Sequence, residues 1–133
     1  MIFVDTNVLL DVVTDDPSFA DWSIAQLETA ALQGPLLIND CVYAELSVGY
    51  REKERLDAFI LAAGLRHEPI PRDALFLAGK AFRAYRRAKG ARTNVLPDFF
   101  IGAHATVLSL PLITRDVRRY QTYFPNLVLI APG

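Results

Sequence analysis

"MIFVDTNVLLDVV", residues 1–13, is the stretch that decides the fold. Three apolar residues lead into Asp5, Thr6 and Asn7, and the apolar pattern then resumes with the period of a helix. Residues 2–5 are therefore predicted to form a buried strand and residues 7–13 a short helix. Asp5 has two interpretations. It caps the helix, because Asp favours helix starts, or its carboxylate is one wall of a functional site.

Short apolar segments alternate with helical patterns along the rest of the chain. Predicted strands cover residues 35–38, 65–70, 110–114 and 127–130. Predicted helices cover residues 17–33, with Asp16 as the cap, and then 39–50, 52–63, 73–89, 97–109 and 115–124. Short, continuously apolar strands between helices indicate a parallel sheet covered on both faces. The sequence therefore predicts an α/β fold, with residues 1–133 as a single domain.

Composition restricts the classes of protein that fit. The chain has 133 residues, of which 52% are hydrophobic and 22% charged, as in a globular domain with one core. Its one cysteine, Cys41, excludes an internal disulfide and a cysteine-based metal cluster. Neither a signal peptide nor a membrane-spanning run is recognised. We expect a cytoplasmic protein that does not bind membranes, and any metal to be held by oxygen or histidine.

Charge is unevenly distributed along the chain. Residues 1–50 carry eight acids and no Lys or Arg, whereas residues 80–95 carry six bases and no acid. Such a division indicates an anionic partner near acidic chemistry. The alternative is that the basic run is a solvated helix face or pairs with the acids of residues 1–50.

Two acids follow predicted strands. Asp5 ends the first strand and Asp116 comes shortly after the strand at 110–114. Ligands gather at the carboxyl ends of parallel strands. We therefore expect both carboxylates at the same edge of the sheet, although Asp116 could instead cap the turn that follows it.

Glu45 lies within an apolar helical face. At 100° per residue it groups with Cys41, Val42, Leu46 and Val48, and no Lys or Arg lies three or four positions away. A buried carboxylate without a partner costs several kcal/mol or takes up a proton. A cation supplied from outside would remove that cost. The alternative is that Glu45 is at the rim of the face and reaches solvent.

Asp98 follows Pro97 at the start of a helix that is apolar nearly all round. Alone it could be a cap. It shares its face with Gly102 and Ala105, whose small side chains would let backbone or a ligand come close. A carboxylate there is well placed to bind a metal.

The four acids together suit a hard divalent cation such as Mg²⁺ or Mn²⁺, since Cys is absent from the set and His is scarce. Such ions activate water and neutralise charge on a phosphodiester. Thr6, Asn7 and Thr114 could donate hydrogen bonds that hold the carboxylates in position. His67 is not assigned to the site, and His104 is predicted to be a hydrogen-bonded core histidine.

Four segments carry a resemblance to a known family. "FVDTNVLLD", "YAEL", "LPDFFIGAHA" and "LITRDVRRY" resemble the PIN domain, specifically the VapC-type toxins of prokaryotic toxin–antitoxin pairs. The likeness covers nearly the whole chain, in the expected order. It implies a PIN-like three-layer α/β/α domain with a short, mostly parallel central sheet. The family's acidic constellation carries over to Asp5, Glu45, Asp98 and Asp116.

The resemblance implies a function as well. It implies a Mg²⁺-dependent endoribonuclease that cuts structured RNA such as transfer or ribosomal RNA, forms a homodimer and is bound by a VapB-type antitoxin. A further acid or Asn soon after the last catalytic Asp occurs in some relatives. Here Val117, Arg118 and Arg119 follow instead, so the number of ions, one or two, stays open.

Three interpretations are therefore compared. In the first, the acids form a nuclease centre, and the candidates for gripping RNA phosphates are Arg86, Arg87, Arg92 and Arg115. In the second, the chain is a catalytically silent PIN-like module that binds RNA or serves as a scaffold. In the third, it is a phosphoacceptor receiver domain, which would require a Lys after a late strand. The chain's lysines are Lys53, Lys80 and Lys89, which do not fit.

Overall fold

The computed structural model describes residues 1–88, 90 and 95–133. Within them the chain forms five strands, whose bounds are β1 Ile2–Val4, β2 Leu36–Ile38, β3 Leu65–His67, β4 Leu112–Ile113 and β5 Leu129–Ile130. The helices in the same residues are α1 Thr6–Val13, α2 Ala20–Ala31, α3 Asp40–Ser47, α4 Lys53–Ala62, α5 Arg72–Arg87, α6 Leu96–Val107 and α7 Arg118–Tyr123. The predicted alternation of strands and helices is confirmed.

The strands form one parallel sheet in the order β3-β2-β1-β4-β5. Phe3 in the central strand pairs with Leu37 on one side and Leu112 on the other. All three side chains are buried, because helices cover both faces of the sheet. The predicted α/β class and three-layer architecture are therefore confirmed.

The direction in which successive strands are added to the sheet reverses between β1 and β4. From β1 the connections lead to β2 and β3 on one side, and from β4 to β5 on the other. Right-handed crossovers then place α1–α4 on one face and α5–α7 on the opposite face. The point of reversal is where doubly wound α/β sheets bind ligands, beyond the carboxyl ends of the strands. Asp5 and Thr114 follow β1 and β4 at this point.

Some element boundaries differ from the sequence prediction. The helix expected at residue 17 begins at Ala20, because the Asp16 carboxylate accepts hydrogen bonds from the backbone N–H groups of Ser18 and Phe19 and stabilises a separate turn. The helix predicted over residues 52–63 ends at Ala62, and Gly64 follows it with a φ of +68°, a left-handed conformation that glycine adopts without strain. No helix in the described part of the chain is long and apolar enough to cross a membrane.

Candidate active site

Asp5 is both a helix cap and a member of the acidic cluster. Its Oδ1 accepts a hydrogen bond from the Thr6 backbone N–H at 2.7 Å. Its Oδ2 accepts from Thr114 Oγ1 at 2.7 Å and from Tyr120 Oη at 2.9 Å. Burial raises the pKa of Asp5 from 3.8 to about 6, although these three hydrogen bonds lower it. The two interpretations of Asp5 are therefore compatible in one side chain.

Glu45 is joined to Asp5 through Thr6. The Thr6 hydroxyl donates to Glu45 Oε1 at 2.7 Å, while the Thr6 backbone N–H is bound to Asp5. Burial raises the pKa of Glu45, the hydrogen bond from Thr6 lowers it, and the nearby negative charge of Asp98 raises it further. Asp5, Glu45 and Asp98 thus belong to one electrostatic cluster.

The predicted apolar face around Glu45 is only partly correct. Val42 and Leu46 are fully buried, as expected, but Val48 is 88% exposed. The physical reason is that α3 ends at Ser47, so Val48 does not continue the face. Glu45 is half-buried and lies at the edge of the apolar stripe.

Asp98 and Asp116 are joined by an arginine. Arg119 Nη1 donates to Asp98 Oδ2 at 2.6 Å and lies 3.6 Å from Asp116 Oδ2. Burial and the negative charge of Asp5 raise the pKa of Asp98 to about 6, and Arg119 opposes that rise. The capping interpretation of Asp98 is wrong, because α6 begins at Leu96 and Asp98 already lies in its first turn.

Asn7 and Thr114 connect the two strand ends. Asn7 Nδ2 lies 3.4 Å from both Asp5 Oδ2 and Thr114 Oγ1, and Asn7 Oδ1 accepts from the Arg115 backbone N–H at 3.2 Å. Thr114 Oγ1 in turn accepts from the Asp116 backbone N–H at 3.0 Å. This network fixes the segment after β4, and hence Asp116, relative to Asp5.

Arg115 is held inside the protein by a residue that sequence reasoning did not single out. Its Nε and Nη2 donate to the two carboxylate oxygens of Asp11 at 2.7 and 2.9 Å, and its guanidinium lies 4.2 Å from the centroid of the Phe19 ring. The Ser23 hydroxyl also donates to Asp11, which is buried. This bidentate pair engages two of the five N–H donors of Arg115 and fixes the orientation of its guanidinium.

Tyr120 is a second residue that sequence reasoning missed. It is fully buried, and its hydroxyl donates to Asp5. Gly102 makes this possible, because a Cβ there would come within 3.0 Å of the Tyr120 ring and within 2.5 Å of the Phe124 ring. The small residues of α6 were expected to admit backbone or a ligand, and at Gly102 they admit two aromatic rings instead.

Three of the candidate phosphate ligands lie at or just beyond the end of α5 in the sequence. Arg86 and Arg87 are exposed in the last turn of α5. Arg92 lies outside the described residues. A cavity of about 270 Å³ between α5 and α7 is lined by Tyr85, Asp116, Arg118, Arg119, Thr122 and Tyr123. Because Tyr85 of α5 and Asp116 line the same cavity, the end of α5 lies beside the acidic cluster.

The donor set fits a hard divalent cation. Its ligands are carboxylate oxygens, and its members raise one another's pKa, as expected for acids that converge without a cation. With the side chains in their present orientations, the described residues contain no group of three His, Cys, Asp or Glu placed to hold one ion. To hold one cation, these carboxylates would therefore have to turn toward a common point.

Neither histidine belongs to the cluster. His104 is 1% exposed, and its Nδ1 lies 3.3 Å from Asn39 Nδ2. Since Asn39 Oδ1 accepts from the Val42 backbone N–H, the Asn39 amide donates to His104. The prediction of a hydrogen-bonded core histidine is confirmed.

Comparison with known proteins identifies relatives over most of the chain. The model of the PIN domain matches residues 2–125. Ribonuclease VapC10 of Mycobacterium tuberculosis is 34% identical over 123 residues, which cover 92% of this chain and 88% of the relative.

Solved structures share the fold. VapBC2 from Rickettsia felis, bound to a DNA fragment from its promoter, matches with a TM-score of 0.74 and 23% identity over 98% of both chains. VapBC-1 from nontypeable Haemophilus influenzae matches with a TM-score of 0.71 and 20% identity, again over 98% of both chains. At these identities the likeness is one of fold.

Proposed function

The chain belongs to the PIN domain family and groups within it with the VapC ribonucleases, and on that premise we propose that it is a divalent-metal-dependent endoribonuclease. The observation that carries the proposal is the convergence of four acids on one edge of the sheet. Asp5 and Asp116 follow β1 and β4, while Glu45 and Asp98 are supplied by α3 and α6.

The proposed mechanism gives each acid a role. Asp5, Asp98 and Asp116, with Glu45 directly or through water, hold one or two Mg²⁺ or Mn²⁺ ions. A bound cation would supply a water molecule of lowered pKa and neutralise charge on the phosphodiester and on the departing 3′ oxygen. A side-chain general base is not required.

Neighbouring residues position the acids. Thr6 orients Asp5 and Glu45 together, because its backbone and its hydroxyl bind one carboxylate each. Thr114 and Tyr120 both donate to Asp5 Oδ2 and so fix the orientation of the Asp5 carboxylate. Asn7 secures the loop that carries Asp116. Arg86, Arg87, Arg92 and Arg115 are the proposed phosphate contacts, and Asp11 holds the guanidinium of Arg115 in place through two of its N–H donors.

Biologically, we infer that the protein is the toxin of a type II toxin–antitoxin pair. The relative that is 34% identical is a ribonuclease, and structures of similar fold are VapBC toxin–antitoxin proteins. The partners proposed on this basis are a VapB-type antitoxin, a second copy of the chain in a homodimer, and structured RNA such as transfer or ribosomal RNA. The proposed location is the cytoplasm, and residues 1–133 are proposed to act as one nuclease domain.

The second candidate is a catalytically silent PIN module that binds RNA or serves as a scaffold. Incubating the purified protein with RNA, with Mg²⁺ or with a chelator, separates the two. A nuclease gives fragments with Mg²⁺ and none with the chelator, whereas a silent module leaves the RNA whole in both.

A further inference from the structure

Arg119 lies between two of the proposed metal-binding acids. Its Nη1 donates to Asp98 Oδ2 at 2.6 Å and lies 3.6 Å from Asp116 Oδ2. The side chain is 20% exposed, so the pair is partly shielded from water. A guanidinium in this place neutralises carboxylates that would otherwise repel one another.

The same oxygens cannot serve Arg119 and a divalent ion equally. A Mg²⁺ ion requires ligand oxygens at about 2.1 Å, and a guanidinium already hydrogen-bonded to Asp98 Oδ2 would place two positive charges side by side. The cost of that arrangement is large where water is scarce. A divalent ion that takes Asp98 Oδ2 must therefore displace Arg119 from that oxygen.

The structure offers Arg119 another place to lie. The cavity of about 270 Å³ between α5 and α7 is lined by Arg119 itself and by the rings of Tyr85 and Tyr123. The guanidinium carbon is already 5.9 Å from the centroid of the Tyr85 ring, a distance at which an aromatic face attracts a cation. A rotation of the side chain can thus move the charge away from Asp98 and keep it beside Asp116.

We propose that Arg119 is an internal counter-cation that a divalent ion displaces from Asp98, and that the displaced guanidinium then binds an RNA phosphate at the edge of the site. This inference rests on the proposed function of the acidic cluster. Metal binding and RNA binding are coupled by it, because the cation that fills the site also frees an arginine for the substrate.

Arg118 provides a matched control. It is the preceding residue, carries the same charge and is exposed, and it makes no ion pair among the described residues. Replacing either arginine by Gln changes the net charge equally, but only Arg119→Gln removes the contacts with Asp98 and Asp116. Arg119→Lys keeps the charge and tests whether it alone is sufficient.

The test is the dissociation constant of Mn²⁺ and of Mg²⁺, measured by titration calorimetry on the metal-free protein without RNA. We expect Arg119→Gln to bind the ion about tenfold more tightly than wild type, Arg118→Gln to stay within about twofold, and Arg119→Lys to lie near wild type. Thermal unfolding of the metal-free variants checks that each is folded. At saturating metal, KM for RNA should rise about fivefold or more in Arg119→Gln.

The outcomes separate this inference from the proposed function. Equal metal affinity in wild type and Arg119→Gln, or an equal gain in Arg118→Gln, overturns the displacement. Tighter metal binding with an unchanged KM overturns the role of Arg119 in RNA binding. If no protein binds a divalent ion, the inference and the proposed metal-dependent function fail together.

Discussion

At the scale of single residues, the cluster consists of carboxylates that the fold buries next to one another. Asp5 is 3% exposed and accepts hydrogen bonds from Thr6, Thr114 and Tyr120, yet burial still raises its pKa to about 6. Hydrogen bonds to neutral donors do not fully replace hydration of the charge. The folded protein therefore sustains an electrostatic cost at these residues that a cation can remove.

Replacing one acid with its amide should abolish cleavage and leave the fold intact. Asp5→Asn and Asp98→Asn each remove a metal-binding charge without removing volume, and a loss of roughly 100-fold or more is expected. Cleavage rate and circular dichroism are the measurements. Asp21→Asn, an exposed change on α2, is the control. Full nuclease activity in either site variant would be incompatible with the assignment.

The stability of the metal-free protein should depend on pH in a definite direction. Because the pKa of Asp5 and of Asp98 is raised from 3.8 to about 6, the folded protein binds more protons than the unfolded chain between about pH 4 and 6. Its free energy of unfolding should therefore fall as pH rises through that window.

Denaturant titrations at several pH values, with a chelator present, measure this dependence. Asp5→Asn should remove the part of this pH dependence that Asp5 contributes, which is about 2–3 kcal/mol of unfolding free energy between pH 4 and 7. A wild-type stability that rose with pH across the window would show that these acids are not destabilised by burial.

At the scale of helices and strands, the site depends on how α7 packs against α6. Gly102 in α6 allows the rings of Tyr120 and Phe124 to approach its Cα, and this contact places the Tyr120 hydroxyl on Asp5. Helix α7 also carries Arg119 to Asp98. The position of α7 therefore decides two of the contacts that the acids make.

A methyl group at Gly102 should disturb this packing. Its Cβ would lie 2.5 Å from the Phe124 ring, so Gly102→Ala should destabilise the protein by about 1–3 kcal/mol. Gly79→Ala is the matched control, because nothing lies within 4 Å of a Cβ at that position in α5. It should stabilise by up to about 1 kcal/mol through helix propensity. Thermal unfolding measures both changes, and equal effects would contradict the packing argument.

The exposed end of α5 should bind RNA through charge. The experiment uses an Asp5→Asn background, which prevents cleavage. Replacing both Arg86 and Arg87 by Gln should weaken the binding of many RNAs by a similar factor, because phosphate contacts carry little sequence information. The slope of log K against log salt should change by about 1.4 for single-stranded RNA. Arg51→Gln with Arg55→Gln, exposed near α4, is the control. An unchanged slope would remove Arg86 and Arg87 from the RNA-binding surface.

Local patterns in the sequence predict some of these features and not others. Asp5 could be placed at a strand end, because the apolar period changes at that residue. The pair between Asp11 and Arg115 joins residues 104 positions apart, and no local pattern indicates it. Tyr120 and Arg119 reach Asp5 and Asp98 only through the docking of α7. The face around Glu45 was misjudged because Val48 was counted as part of the helix, whereas α3 ends at Ser47.

At the scale of the whole molecule, the reversal of strand order between β1 and β4 brings the acids together. The carboxyl ends of these strands point the same way, and α3 and α6 approach that edge from opposite layers. Four acids from distant parts of the chain thus meet without any of them lying in a long loop. This arrangement is the structural basis of the proposed metal-dependent RNA hydrolysis.

The most direct measurement of that claim is the chemistry of the RNA ends formed by the metal-stripped protein when Mg²⁺ is added back. Attack by water with departure of the 3′ oxygen predicts 5′-phosphate and 3′-hydroxyl ends, formed in proportion to bound Mg²⁺ and absent in Asp98→Asn. Cleavage that persists in a chelator, or that leaves 2′,3′-cyclic phosphates, would contradict the account, because the RNA's own 2′-hydroxyl would then be the nucleophile.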